Sequence, residues 1–172
     1  SDLPTEELSV MEYCQRVKQI LSRPTMEINA ELHFDVPPDF KVTFYPAYLE
    51  SVLFNLISNA IRYHDPEKDP WVKVWVEEKK EVQLLYVSDN GLGIDIEKHG
   101  DEIFKYRRTV HNHPDSTGIG LYLIRSQIVM YMTSARYIWD WMFRIQVYEK
   151  EAYPRTVEEV APPLRAPVLG PN

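Results

Sequence analysis

The sequence predicts an α/β domain in which helices and strands alternate along a single chain of 172 residues. Three observations carry that prediction. The segment from Tyr48 to Tyr63 places Leu49, Val52, Leu53, Leu56, Ile57 and Ala60 on one helical face. The segment from Trp71 to Val76 alternates Val72, Val74 and Val76 with polar or aromatic neighbours, and Val82 to Ser88 forms a second strand after a charged turn at Glu77 to Glu81, as in an antiparallel hairpin. The length and the 44% hydrophobic content suffice for one domain with a true core.

The other elements follow in order. Leu8 to Leu21 is expected to be a helix, with Val10, Tyr13, Cys14, Val17, Ile20 and Leu21 at helical spacing. Ile28, Ala30, Leu32 and Phe34 alternate as a half-buried strand that Pro37-Pro38 ends. Val42 and Phe44 mark a short strand stopped by Pro46, and Asp65-Pro66 breaks the helix that follows. Between Asn90 and Thr117 the pattern is irregular, with a short helix expected near Glu97 to Phe104. A loop of that length in a compact domain is usually functional or mobile. Gly120 to Met132 returns to helical spacing through Leu121, Ile124, Ile128 and Met132, and Tyr137 to Tyr148 has strand composition. We expect a domain over 1–150 and a flexible tail over 151–172, which holds five of the thirteen prolines. There is no internal repeat.

Composition narrows the function. A net charge of -7 argues against non-specific nucleic-acid binding, which needs a basic surface. The single cysteine, Cys14, excludes an internal disulfide, fits a reducing compartment and reads as a small core residue. No apolar run reaches the length of a membrane span and no signal peptide opens the sequence. The expectation is a cytoplasmic domain without membrane contact, excised from a longer chain.

The chain has six glycines, and four of them fall in Asp89-Asn90-Gly91-Leu92-Gly93 and Thr117-Gly118-Ile119-Gly120-Leu121. Glycine is needed where the backbone bends unusually or approaches another group closely. Asp89 ends a strand on the same side as Leu85 and Val87, where a carboxylate is expected to be partly buried and to need a donor such as an adenine amino group. Asp-Asn-Gly is equally a common turn, so site and turn stand about even. Gly118-x-Gly120 opens a helix whose free N–H groups suit phosphate, or is an ordinary helix entry. It is neither a Rossmann fingerprint nor a Walker A loop. Asn55, Asn59 and Arg62 form one stripe on the strongest helix. Two amides and a cation there suit a hydrated magnesium ion and a phosphate, although the stripe alone reads first as a solvated face. His111 and His113 form only a His-x-His pair, for which an exposed polar loop is the favoured reading.

The three motifs in this order resemble the bacterial sensor histidine kinases. Asn55-Leu-Ile-Ser-Asn59-Ala-Ile-Arg62-Tyr63 resembles their N box, Asp89-Asn-Gly-Leu-Gly93 their G1 box, Ile103-Phe104 with Lys105 to Arg108 their F box, and Thr117-Gly-Ile-Gly-Leu121 their G2 box. The resemblance covers roughly residues 5 to 132 and concerns the ATP-binding catalytic domain. It implies the Bergerat fold of gyrase, MutL and a heat-shock chaperone, a two-layer α/β sandwich with a mixed, mostly antiparallel sheet packed on helices.

By that resemblance Asn59 binds Mg²⁺, and Asn55 supports the metal or the phosphates. Arg62 stands for the family's usual lysine near the phosphates, keeping the charge with a different geometry. Tyr63 packs beside the adenine and Asp89 accepts from its amino group. Gly91 and Gly93 shape that pocket. Thr117, Gly118, Gly120 and Leu121 line the triphosphate, and the segment from Ile94 to Thr117 is the ATP lid, with Lys105, Arg107 and Arg108 as its candidate cations. For those three a solvated charge run weighs equally. ATP-hydrolysing relatives have a water-activating glutamate where this chain has Asn55. An amide cannot take a proton, which favours phosphoryl transfer over hydrolysis.

The implied partners are a histidine-bearing dimerisation domain and, downstream, a response regulator. None of His33, His64, His99, His111 or His113 has the context of a phosphoacceptor. The isolated domain is expected to be a monomer. Thr133 to Trp141 lacks the glycines with which the family normally continues, so an atypical C-terminal edge is expected, by an unusual turn or a lost strand. Two function classes therefore stand: a kinase domain, and a nucleotide-binding module that regulates a partner without transfer, as related anti-sigma factors do.

Overall fold

A computed structural model describes residues 4–79, 82–93, 105, 119–124 and 126–127. The described elements run β1 (Glu6–Ser9), α1 (Val10–Ile20), α2 (Ser22–Glu27), β2 (Glu31–Asp35), β3 (Lys41–Phe44), α3 (Pro46–Arg62), β4 (Trp71–Lys79) and β5 (Val82–Asp89). Residues 120–124 and 126–127 are also helical.

The strands form two sheets among the described residues. β1 pairs antiparallel with β3, with Leu8 opposite Val42. β4 lies between β2, its parallel partner, and β5, its antiparallel one. The sheet is thus mixed, with helices packed against it, and the α/β architecture expected from the sequence is the one observed.

Its core follows from the alternation. Val72 and Val74 of β4 turn inward with Phe44 of β3, and meet Leu49, Leu53 and Ile57 of α3. From α1, Val10, Tyr13, Cys14 and Val17 join them. Cys14 is fully buried, and burial pushes its thiol up to about 12, so it is a neutral packing group. A smaller apolar cluster of Val52 and Ile124, with Leu56 and Leu121 against it, fastens the helical segment at 120–124 to the other flank of α3.

Five element assignments differ from the sequence-based expectation. Glu6–Ser9 is a strand, although Leu8 also fits the helical spacing of α1. Ser9 divides the two as the N-cap, its hydroxyl accepting from Glu12 N–H at 3.3 Å. The short α2 buries none of its side chains, so it leaves no periodic signal. Asn29 then takes a left-handed φ of 52°, and β2 starts at Glu31 rather than Ile28. Glu77, Glu78 and Lys79 were expected in a turn but extend β4, paired with Leu84, Gln83 and Val82. Backbone pairing decides there: Glu78 is exposed, and the half-buried Glu77 carboxylate accepts from the Tyr86 hydroxyl at 3.3 Å. Pro46, read as a strand stop, is also the first residue of α3, where its missing N–H costs nothing.

The expected helix near Glu97 to Phe104, the continuation of the last helix to Met132, the strands from Tyr137 to Tyr148, the C-terminal edge and the tail all lie outside the described residues.

Candidate functional site

α3 carries the site because it touches both glycine motifs. Its buried face, centred on Leu49, Leu53 and Ile57, fixes its rotation against the sheet. That rotation leaves the stripe Ser51, Asn55, Asn59 and Arg62 at the rim of the core, each half-buried.

Asn55 is oriented by its own helix. Its Nδ2 donates to the Ser51 carbonyl at 2.8 Å and approaches Ser51 Oγ at 3.3 Å. The Oδ1 atom therefore faces away from the helix axis, toward Gly120. A Cβ added at Gly120 would lie 3.0 Å from Asn55 Oδ1 and 3.6 Å from Asn59 Nδ2. A side chain at Gly120 would press on Asn55, whose amide would have to give by a few tenths of an ångström. Gln127 secures the contact seven residues later, about two turns on, its Nε2 donating to Ser51 Oγ at 3.0 Å. Ser51 and Gln127 escaped the sequence analysis. Ser51 stands four residues before Asn55, so the stripe itself held the signal. Gln127 left none.

The first glycine motif meets α3 at its C-terminus. The Tyr63 carbonyl accepts from Leu92 N–H at 2.9 Å. A Cβ at Gly91 would lie 2.5 Å from that carbonyl oxygen and 2.8 Å from Asp89 Oδ1. Only glycine fits between them. Gly93 has open space but a φ of 72°, so its need is conformational. The resemblance implies a role for the Tyr63 side chain, whereas here the Tyr63 backbone carbonyl joins the two elements.

Asp89 closes β5, and its Oδ1 accepts from Gly91 N–H at 2.8 Å. It is exposed to solvent, whereas a partly buried carboxylate was expected from the sequence. Protein still crowds it on its other sides. That desolvation raises its pKa above the ordinary aspartate value, opposed by the Gly91 hydrogen bond.

The two constellations are about 12 Å apart along α3, from Asn55 to Tyr63. That separation suits a ligand with a base at one end and phosphates at the other. Arg62 makes no ion pair among the described residues, and Asn59 keeps its carboxamide free of hydrogen bonds there. The same residues contain no cluster of three or more acidic, histidine or cysteine ligands. Amide oxygens together with phosphate and water are a ligand set that suits Mg²⁺. Leu121 packs into the Val52–Ile124 cluster. Lys105 is exposed, and Arg107, Arg108, Thr117 and Gly118 lie outside the described residues.

A mixed sheet backed by helices, with the Gly91 turn and the helical residue Gly120 both docked on α3, is the class of α/β domain seen in histidine kinase catalytic domains. Residues 45–159 match the family described as histidine kinase-, DNA gyrase B- and HSP90-like ATPase, and the chain belongs to that family. The match opens one residue before α3. Among curated proteins, the circadian input-output histidine kinase CikA of Synechococcus elongatus is 25% identical over 134 residues, covering 76% of this chain and 17% of that protein. Cyanobacterial phytochrome B of Nostoc is 28% identical over 125 residues, covering 70% of this chain and 16% of that protein. The chain thus spans less than a fifth of these relatives. Among solved structures, the nucleotide-free catalytic domain of histidine kinase ThkA superposes with a TM-score of 0.65 at 22% identity, covering 74% of this chain and 82% of that one. The mycobacterial sensor histidine kinase MprB gives 0.62 at 19% identity, covering 74% and 80%.

Proposed function

We propose that this chain binds Mg-ATP and passes the γ-phosphoryl group to a histidine on a separate dimerisation domain. The observation that most supports this is the double docking of glycine on α3: Gly120 against Asn55 and Asn59, and Gly91 between Tyr63 and Asp89. In this reading Asp89 accepts from the adenine amino group, and Gly91 and Gly93 let the base approach the backbone. Tyr63 flanks the base. Asn59 would hold Mg²⁺ through its amide oxygen, Asn55 would support the metal or the phosphates, and Arg62 would neutralise phosphate charge. Mg²⁺, when bound, offsets the charge that collects on the β- and γ-phosphates during transfer. Lys105, Arg107, Arg108, Thr117, Gly118 and Leu121 complete the phosphate side.

Asn55 cannot deprotonate water, so the nucleophile is the partner's imidazole nitrogen. It attacks the γ-phosphorus as the bond to the β-phosphate oxygen breaks, and ADP leaves. Positioning and charge neutralisation supply the acceleration. A response regulator then receives the phosphoryl group from that histidine. No helix among the described residues is long and apolar enough to cross a membrane, and we place the domain in the cytoplasm.

Labelled ATP, Mg²⁺, this chain and a histidine-bearing dimerisation domain supplied in trans test the proposal. Label on the acceptor histidine is the expected result. Tight ATP binding with no transfer, where an intact kinase succeeds, favours a regulatory binding module. The glycine-free stretch from Thr133 to Trp141 is what keeps that second reading in view. Absence of ATP and ADP binding by calorimetry overturns both.

A further inference from the structure

Asn90 stands where β5 leaves β4, and its side chain continues the ladder that the backbone abandons. The β4–β5 register runs from Lys79↔Val82 to Val72↔Asp89. The next antiparallel pair would join Trp71 to Asn90. At that step the Trp71 N–H donates to Asn90 Oδ1 at 2.9 Å, and Asn90 Nδ2 donates to the Asp69 carbonyl at 2.8 Å. One carboxamide thus offers the acceptor and the donor that a strand peptide would offer.

This substitution has a geometric consequence. The main chain after Asp89 is released from the sheet without leaving the edge of β4 unpaired. It can then turn so that Gly91 lies against the Tyr63 carbonyl and returns its N–H to Asp89 Oδ1. The anchor is itself fixed, because Glu31 N–H donates to the Pro70 carbonyl at 2.9 Å from the β2 side. Residues 69–71 are therefore clamped between β2 and the Asn90 carboxamide. Asp89 is held between a fixed strand end and a fixed turn.

We propose that Asn90 is the positioning residue for base recognition: its carboxamide, bonded to Asp69 and Trp71, aims the Asp89 carboxylate at the exocyclic amino group of the nucleobase. The proposal rests on the nucleotide reading above. It adds the residue that makes the site selective for an amino-bearing purine. Asn90 itself touches no ligand in this account.

Calorimetric titration of the 172-residue chain with ATP and with purine riboside triphosphate, which lacks only the amino group, tests it. Wild type should prefer ATP. Asn90→Ala should weaken ATP binding about ten-fold, the value of a hydrogen bond to a charged acceptor, and purine riboside triphosphate binding far less. Its ATP preference should fall to that of Asp89→Ala. Asn90→Asp keeps the acceptor for Trp71 N–H but loses the donor to Asp69, and should fall between. It also provides the measurement if Asn90→Ala fails to fold. A purely structural role would weaken both ligands equally or neither. An unchanged ATP preference in the variants, or no preference in wild type, overturns the proposal. Failure of the nucleotide reading itself would show differently, as absence of binding of either triphosphate to wild type.

Discussion

Asp89 sets binding against stability. Desolvation raises its pKa in the folded protein. A raised folded pKa means that its favourable contribution is complete below the unfolded value, near 3.8, and is lost as pH rises through the folded one. At neutral pH the ionised carboxylate is therefore a cost to the fold. Asp89→Asn should melt no lower than wild type at pH 7, because an amide oxygen can still accept from Gly91 N–H. The gap should narrow as pH falls through the raised value. The same variant should lose most ATP affinity, since an amide oxygen is a weaker acceptor for the adenine amino group. Melting curves and calorimetry across pH test both halves. A variant that melts well below wild type at pH 7 would show Asp89 to be a structural acceptor. Gly91→Ala differs in kind. Its methyl group has no space between Tyr63 O and Asp89 Oδ1, so the turn must shift, at about 1–3 kcal/mol of stability. Denaturant unfolding should show that loss, and ATP titration a parallel loss of binding. Gly91 was legible in the sequence as a glycine in a turn. The atoms that forbid a side chain there were not, because the Tyr63 carbonyl comes from a different element.

At the scale of elements, α3 governs both fold and site. Leu53 is fully buried against the sheet, whereas its neighbour Phe54 is 37% exposed. Leu53→Ala should cost about 2–5 kcal/mol in denaturant unfolding, the range for emptying a packed aliphatic site. Phe54→Ala should cost far less. Equal costs would mean that α3 is rotated from the orientation that lines up Asn55, Asn59 and Gly120. α3 was legible because its apolar period is long and regular, and the β4–β5 hairpin because Val72, Val74 and Val76 alternate. β1 and α2 were hidden for opposite reasons. The one buried residue of the four-residue β1, Leu8, also fits the helical spacing of α1, and α2 buries nothing that could mark its period. The asparagine stripe was visible on the helix, but only the packing of Val52, Leu56, Leu121 and Ile124 brings Gly120 onto it.

The whole molecule links these scales through ligand binding. If this chain of net charge -7 binds Mg-ATP as proposed, binding should depend on local cations and on the metal that accompanies the phosphates. A ligand that binds only the folded state stabilises it by about 2.7 kcal/mol at one hundred times its Kd. For a domain of this length each kcal/mol moves Tm by about 2–4 °C. Mg-ATP at that concentration should therefore raise Tm by roughly 5–10 °C. EDTA should remove most of that rise if the asparagines and Arg62 meet the phosphates together with Mg²⁺, as proposed. The residual shift should match that of adenosine, which engages only the Asp89 end. Asp89→Asn should abolish the adenosine shift and leave a metal-dependent response to triphosphate. Two separable responses are what two binding walls on one helix require. A shift of the same size with ATP, ATP plus EDTA, and adenosine would mean that the asparagine end of α3 binds nothing, and would confine the site to the turn at Gly91.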